Sequence, residues 1–422
     1  MALMVLAERW LNLTGRNPAA ITVATVDHGL RPESKEEAAF VAANARDLGF
    51  SHATIKWTGG KPKTGIQAAA RRARYDLLAS HALSCGAASI VTAHTEDDQA
   101  ETLLMRLRRG SGVDGLAAMA PVSDRNGVAI VRPLLGFSKG RLTAYLRASS
   151  VPFLRDPSND NAAFERVRLR HATKALAAAG ITRSSVATTA ARLSRSRDAL
   201  ARITENFLDR NFKVTPLGQG KISQAALEAV PDDVALRALG RILSLVGGRE
   251  EPPRLMRLEH LLENLKFRKK EATLAGCIMI TASGTFNFYR EPGRLKVSPT
   301  PFEPGAQRVW DGRFILAFAP IKDCGMKVRQ LGADGWLSYK KTMKERGLLV
   351  TATRLPALTS PALWKGNRLI CAPLLSFSEA PGDAASGQPA EAELAPGLAR
   401  FLTAARDGAA SVLGKDTPIP YL

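Results

Sequence analysis

The segment SIVTAHTEDDQAET, residues 89–102, contains the two features that decide the fold. A short β-branched apolar run, Ser89 to Ala93, leads through a polar turn into a helical pattern near Asp97 to Arg108. Strands joined by crossover helices form parallel sheets, and open sheets of this kind bind ligands at the carboxyl ends of their strands. The segment therefore predicts an α/β domain with its ligand site at those strand ends.

The same alternation occurs elsewhere in the first part of the chain and then stops. Strands are predicted from Ile21 to Val26 and from His52 to Trp57, and helices from Glu33 to Leu48, Gln67 to Leu83 and Lys139 to Ser149. After about Glu165 the sequence becomes rich in Ala, Arg and Leu, with no clear strand before about Ala272. The helices predicted there are Val186 to Phe207, Gln224 to Ala229, Val234 to Leu245 and Leu255 to Leu265.

Short strands return near the carboxyl end, at Cys277 to Ala282, Thr285 to Tyr289 and Phe314 to Ala317. We therefore predict three domains: an α/β domain over residues 1–178, a linker helix with a mainly helical domain over 179–297, and a small α+β domain over 298–422. A length of 422 residues and a hydrophobic content of 45% agree with two or three folded domains.

Composition indicates a polyanionic partner. Lys and Arg number 59 against 39 Asp and Glu, a net charge of +20, which is typical of proteins that bind nucleic acid. The four cysteines lie far apart without a CxxC pair, so neither a zinc site nor a disulfide framework is indicated, and a cytoplasmic location fits. Met1 to Leu13 has the pattern of neither a signal peptide nor a transmembrane helix, so we expect no membrane partner.

Two basic segments could meet an anionic nucleotide. In VDHGLR, residues 26–31, His28 and Arg31 follow a predicted strand end, although an ordinary solvated turn would look the same. Arg71 and Arg74 lie three residues apart and project from one helix face, where guanidinium groups suit phosphate oxygens. A solvated basic face is the alternative interpretation of that pair.

The opening segment carries the acid–base candidates. His94, Asp98 and Glu101 would converge at i, i+4 and i+7 if the helix begins early, where they could hold Mg²⁺ near phosphates or accept a proton from an amine. Glu96 and Asp97 could instead serve the helix N-terminus through its dipole. The helix ends in an Arg-rich stretch that opens into a glycine loop, which a ligand can approach closely.

Six motifs in fixed order resemble one known family. They are VDHGLR, GIQAAARRARY, TAHTEDDQAET, LMRLRRGSGVDGL, RPLL and DPSNDNAAFERVRLR, and they span residues 1 to about 175. The set is similar to the tRNA(Ile)-lysidine synthetases of the PP-loop ATP pyrophosphatase group. The resemblance implies that residues 1–178 form a PP-loop ATPase domain. It also implies that ATP and Mg²⁺ are used to adenylate the wobble cytidine of tRNA(Ile) with a CAU anticodon, and that free L-lysine then displaces AMP to give lysidine.

The resemblance also assigns roles to individual residues. His94, Asp98 and Glu101 would form the catalytic set, with Asp98 as the expected Mg²⁺ ligand. His28, Arg31, Arg71 and Arg74 would bind ATP or phosphate, and Arg109, Gly110, Ser111 and Gly112 would shape the lysine and cytidine pocket. Contacts to tRNA are expected from Arg166, Arg168, Arg170, Arg192, Arg195, Lys269 and Lys270. Phosphate contacts of this kind position a tRNA without identifying its base.

One departure from the family pattern leaves an alternative open. The Ser-Gly-Gly-x-Asp-Ser loop that follows the first strand in this family does not occur in residues 1–422, and Met1 to Leu6 resembles the helix that normally follows that loop. We expect either an upstream segment of a longer gene product to carry the loop or the chain to be a catalytically inactive tRNA-binding relative. A tRNA thiolation enzyme is disfavoured because Cys85 has no close cysteine partner. A homodimer is left open.

Overall fold

The computed structural model describes residues 1–29, 34–62, 64–154, 169, 173, 175–267, 270–295, 297–301, 303, 305–318, 325–375, 377–378 and 390–394. The chain divides into two compact units, Met1–Ala199 and Leu200–Leu422. A long helix, Arg183–Asn211, contains the division. The predicted boundaries near residues 178 and 297 stay predictions. Among the described residues, no helix is long and apolar enough to cross a membrane.

The first unit alternates helices and strands as predicted. Its elements are α1 (Ala2–Thr14), β1 (Thr22–Asp27), α2 (Ser34–Asp47), β2 (Ser51–Lys56), α3 (Ile66–Ser84), β3 (Ser89–Val91), α4 (Glu96–Leu107), α5 (Val113–Leu116), β4 (Val122–Arg125), β5 (Val128–Val131), α6 (Lys139–Ala148) and α7 (Arg183–Asn211). β1 pairs with β2 in parallel, and β3 pairs with β5 in parallel. The predicted parallel α/β architecture is confirmed.

A hairpin in this unit was not predicted. β4 and β5 pair antiparallel around Asn126 and Gly127, which have φ values of 54° and 79°. Two adjacent positive φ values are required by the type I′ hairpin turn, for which Asn-Gly is the preferred sequence. The Asn-Gly pair directly before the apolar run Val128–Val131 was therefore the available signal.

Small residues allow the helices of the first unit to pack closely. Ala100 and Leu103 of α4 pack with Val186 and Ala190 of α7 and with Ala118 after α5. Val186 and Ala190 are four residues apart, so they lie on one face of α7. This contact fixes α4, the helix that follows the segment 89–95, against the start of α7.

The second unit contains more strand than predicted. Its elements after α7 are β6 (Phe212–Val214), β7 (Gly220–Ser223), α8 (Gln224–Glu228), α9 (Asp232–Val246), α10 (Leu255–Lys266), β8 (Glu271–Leu274), β9 (Cys277–Ala282), β10 (Thr285–Arg290), β11 (Thr300–Pro301), β12 (Gln307–Trp310), β13 (Phe314–Phe318), β14 (Lys327–Gln330), α11 (Gly332–Glu345), α12 (Arg354–Leu358), β15 (Pro361–Lys365), β16 (Arg368–Ala372), β17 (Phe377–Ser378) and β18 (Ala390–Leu394). The expectation of no strand before Ala272 is wrong. β6 and β7 are three and four residues long, too short for a clear period-two pattern. They are held in place because β6 pairs with β7, and β7 pairs with β10.

The described part of this unit contains three sheets, with strand orders β6-β7-β10-β9-β8, β11-β14-β15-β16-β17 and β12-β13-β18. The alternation of strand side chains divides the core. Val328, Leu363 and Cys371 join a large cluster with β9, β10 and α9, whereas Ala362 and Trp364 join a smaller cluster with α11. The sheet β11-β14-β15-β16-β17 is therefore covered on both faces.

A buried ion cluster lies within the same unit. Asp311 Oδ2 accepts hydrogen bonds from Arg290 Nε at 2.9 Å and from Arg313 Nε at 2.8 Å. Arg313 Nη2 also donates to the Thr359 carbonyl at 2.6 Å. Burial lowers the pKa of Arg313 to about 10, an effect that Asp311 opposes. One carboxylate thus holds together β10, the turn before β13 and, through Arg313, the end of α12.

Candidate active site

Polar groups at the carboxyl end of β1 form a compact turn. Asp27 Oδ1 accepts hydrogen bonds from the Gly29 amide and the Ser34 hydroxyl, both at 2.8 Å. These bonds lower the pKa of Asp27, because they stabilise the charged carboxylate. The carboxylate therefore orders the turn that presents His28.

His28 meets Arg74, so the structure brings two of the predicted ATP-binding residues together across 46 positions of sequence. Arg74 donates to His28 Nε2 from Nη2 at 3.2 Å and from Nε at 3.3 Å. Trp57 contacts the imidazole edge-on with ring centroids 5.7 Å apart. Burial first, and then the Arg74 charge, lower the pKa of His28. The ring is therefore neutral near pH 7 with Nε2 as the acceptor, which leaves the proton on Nδ1.

The other two predicted ATP-binding residues, Arg31 and Arg71, are not seen in this contact. Arg71 lies over the Tyr75 ring at 5.3 Å on the same helix, and Arg31 lies outside the described residues. Lys61, which the sequence did not single out, donates to the Gly29 carbonyl at 2.8 Å and lies 5.7 Å from the Trp57 ring centroid. Cations from α3 and from the loop before it therefore surround the turn after β1.

The turn after β3 is held by a helix cap. α4 begins at Glu96, with Thr95 as its N-cap. Asp98 Oδ2 accepts from the Thr95 amide at 2.9 Å and from its hydroxyl at 2.8 Å, a capping-box arrangement. The proposed i, i+4, i+7 face is therefore wrong, since it requires the helix to include His94.

His94 instead lies in the turn between β3 and α4. Its Nδ1 lies 2.9 Å from the Thr92 hydroxyl, which orients the ring. Asp98 and the buried Glu101 are three residues apart and share a face of α4. The catalytic candidates thus combine one turn residue with two helix residues, and their chemical roles stay predictions.

Asp97 has a larger role than a dipole partner. Its Oδ1 accepts from Arg183 Nη1 at 2.8 Å, and its Oδ2 accepts from the Lys139 amide at 2.7 Å. One side chain therefore fixes the starts of α6 and α7 to the start of α4. The sequence does not reveal this role, because both partners are more than 40 residues away.

The predicted pocket loop follows α4 directly. Arg109, Gly110, Ser111 and Gly112 occupy the turn between α4 and α5, and Gly110 has a φ of 65°, which favours glycine. Arg106 donates from Nη1 to the carbonyls of Gly115 at 2.8 Å and Ala118 at 3.0 Å. Arg106 lies in the Arg-rich end of α4, and no role was predicted for it.

The predicted tRNA contacts are described only in part. Arg192 and Arg195 are exposed on α7 in the first unit, and Lys270 is exposed before β8 in the second. Arg166, Arg168, Arg170 and Lys269 lie outside the described residues. Arg192 and Arg195 are exposed, so a phosphate group can reach both side chains.

The described residues alone offer little to a metal ion. Within the described ranges, no group of three or more His, Cys, Asp or Glu side chains could hold one. Mg²⁺ is commonly bound by one or two carboxylates together with substrate phosphates, and Asp98 fits that more limited contribution. The assignment of Asp98 to Mg²⁺ stays a prediction.

Comparisons with known proteins agree with this geometry. The family described as PP-loop domain matches residues 1–176. The tRNA(Ile)-lysidine synthase of Ruegeria pomeroyi is 39% identical over 86% of this chain and 84% of its own length. That of a Bradyrhizobium species is 46% identical over 70% of this chain and 81% of its own length. A solved U34-tRNA thiolase from Methanococcus maripaludis covers 46% of this chain at 13% identity with a TM-score of 0.39, too low to support an argument.

The parallel strands, their polar carboxyl ends and the matched region define the first unit as a PP-loop domain, an ATP-binding class of α/β fold. The relatives extend well beyond that unit. The chain belongs to the tRNA(Ile)-lysidine synthase family. The family resemblance inferred from the six motifs is confirmed, and membership implies an ATP-dependent ligase of tRNA modification.

Proposed function

We propose that this chain converts the wobble cytidine of tRNA(Ile) with a CAU anticodon to lysidine. The C2 carbonyl oxygen of the cytidine attacks the α-phosphorus of ATP, and pyrophosphate leaves. The ε-amine of free L-lysine then attacks C2, and the carbon–oxygen bond breaks so that AMP leaves with that oxygen. The observation that carries the proposal is family membership, with relatives 39% and 46% identical over most of their own length.

The turn after β1 suits the nucleotide. Arg74 and Lys61 supply positive charge, and His28 holds the Arg74 guanidinium through Nε2. Charge neutralisation on the phosphates lowers the barrier to attack on the α-phosphorus. When bound, Mg²⁺ would add further positive charge at the phosphates, with Asp98 as the residue that would hold it.

The turn after β3 suits the second step. Lysine must lose a proton before its amine can attack, since its ordinary pKa is about 10.4. His94 is oriented by Thr92 and is the side-chain type that best accepts a proton near neutral pH. Asp98 and Glu101 place carboxylates on the adjacent helix face, where they can attract the ammonium form.

The partners and location follow from the same proposal. Exposed Arg192 and Arg195 on α7 would contact the tRNA backbone, and the loop of residues 109–112 would border the lysine and the cytidine. The reaction belongs in the cytoplasm, where tRNA, ATP and lysine coexist. A homodimer is compatible with it but is not required.

The decisive experiment measures lysidine formation directly. A tRNA(Ile) transcript with a CAU anticodon is incubated with ATP, Mg²⁺ and labelled lysine, using the 422-residue chain and a version extended at its N-terminus by a Ser-Gly-Gly-x-Asp-Ser loop. Label in the wobble nucleotide supports the proposal, and a transcript with guanosine at that position is the control. If neither version incorporates lysine while both bind tRNA, the chain is an inactive tRNA-binding relative.

A further inference from the structure

Arg106 connects both ends of the loop that follows α4. Its backbone carbonyl accepts hydrogen bonds from the amides of Arg109 and Ser111, both at 3.1 Å, where the loop begins. Its guanidinium donates to the carbonyls of Gly115, within α5, and of Ala118, just after α5. A single residue, through its carbonyl and its guanidinium, therefore fixes the path of residues 109–118 relative to α4.

The loop is packed closely at the same point. A Cβ placed on Gly115 would overlap the Cβ of Ser111, lie 2.9 Å from its hydroxyl oxygen and lie 3.9 Å from Arg106 Cδ. Gly115 is thus required by the approach of Ser111, and the two residues sit beside the Arg106 stem. This contact is independent of the hydrogen bonds and closes the loop in the same conformation.

Positive charge surrounds this residue. Burial lowers the pKa of Arg106, and the charges of Arg71, Arg197 and Arg109 lower it further. Val186 and Ala190 pack on α4, and Arg197 lies further along the same face of α7. Arg197 is therefore directed toward the carboxyl end of α4. An anion that enters here would relieve the repulsion among guanidinium groups.

We propose that Arg106 is a positioning residue, which holds the segment of residues 109–118, the loop 109–112 together with α5, in the geometry that the amine and the cytidine require. It acts through the carbonyls of Gly115 and Ala118 rather than by touching substrate, and it keeps Ser111 and Gly112 in place as a tRNA phosphate approaches. This inference rests on the proposed function, because that function makes the loop a pocket.

The test uses Arg106→Met, which keeps the stem and removes the donors, and Arg106→Lys, which restores charge and donors. Arg72→Met removes an exposed charge from α3 and is the matched control. We expect Arg106→Met to lower kcat/KM for lysine about 100-fold, as a mispositioned site does, while its affinity for tRNA stays close to that of the control. Arg106→Lys should recover most of the loss.

A second measurement does not need activity. Limited trypsin digestion followed by mass spectrometry reports cleavage after Arg108 and Arg109, whose rate follows local opening of the loop. Arg106→Met should raise it at least about tenfold, since hydrogen bonds from a charged donor are lost. Gly115→Ala, which displaces Ser111 and leaves the Arg106 donors in place, should raise cleavage at the same bonds.

Two results would overturn the proposal. Parent-like cleavage and lysine kinetics in Arg106→Met would remove the positioning role. A uniform rise in cleavage throughout the first unit, without recovery in Arg106→Lys, would make Arg106 a general stabiliser instead. If the parent forms no lysidine, the proposed function fails separately, and the cleavage comparison still decides whether Arg106 holds the loop.

Discussion

Asp98 caps helix α4 and is also a proposed catalytic residue, and the two roles support each other. Its carboxylate caps α4 through Thr95, and the cap holds that carboxylate in a fixed position at the end of β3. A capped acid loses little conformational entropy when a ligand arrives, because its rotamer is already selected. Structural and catalytic interpretations of this residue are therefore compatible.

Asp98→Asn separates the two tasks. The amide oxygen can still accept from Thr95, so the cap is kept, while the negative charge is lost. We expect turnover in an active form to fall roughly 100-fold, the loss typical of a positioned acid–base group, with little change in tRNA affinity. Glu96→Gln removes a charge from the same helix turn and should retain near-parent turnover. Rates of Asp98→Asn close to those of Glu96→Gln would remove Asp98 from the catalytic set.

The pKa of His28 can be measured by NMR titration of its ring protons. We expect a value below that of a short unfolded peptide with the sequence VDHG, because burial and Arg74 disfavour the imidazolium ion. As the pH falls below about 6.5, the unfolded chain takes up this proton first, so the stability contributed above that pH is lost as the pH falls through the folded pKa. Arg74→Gln should raise the His28 pKa. A titration unaffected by that change would contradict the contact.

At the level of packed elements, the Asp311 cluster makes the clearest prediction. Asp311→Asn removes the charge that both Arg290 and Arg313 bind in a buried site, so the second unit should lose about 3–5 kcal/mol of unfolding free energy. Asp232→Asn is the control, because its ion pair with Lys266 is exposed and worth at most about 1 kcal/mol. Urea unfolding followed by the fluorescence of the buried tryptophans measures both. Equal losses would show that burial does not govern this cluster.

For the whole chain, the excess of 20 positive charges governs the encounter with tRNA. Neutralised phosphates release counterions, so log affinity should fall linearly with log salt, and a protein that contacts six to ten phosphates loses about 10³- to 10⁵-fold between 50 and 200 mM salt.

The contribution of α7 can be read from the slope of that line. Arg192→Gln with Arg195→Gln should reduce the slope by about two if both side chains meet phosphates, since each contact contributes about one. Arg72→Gln, a single exposed charge on α3, should leave it unchanged. Binding titrations with fluorescent tRNA at several salt concentrations give these slopes, and a flat dependence in the parent would exclude backbone recognition.

Local pattern was enough for much of the fold. The predicted helix Gln67 to Leu83 is observed as Ile66–Ser84, and the predicted strand Cys277 to Ala282 is observed with the same ends. These elements are long enough for the periodicity of their apolar residues to be recognised. Their first and last residues are determined by residues next to them in the sequence. The order of six motifs also identified the family, because each motif is a short run of adjacent residues that needs no knowledge of packing.

Contacts between distant segments required the folded chain. His28 contacts Arg74 and Asp97 contacts Arg183, yet nothing in the sequence near either pair indicates the partner. Such pairs depend on the crossing of helices and the pairing of strands, which sum many weak contacts along the chain. The sequence alone thus determined which residue types lie at the strand ends. The packing of α3, α4 and α7 decided which of those residues are in contact.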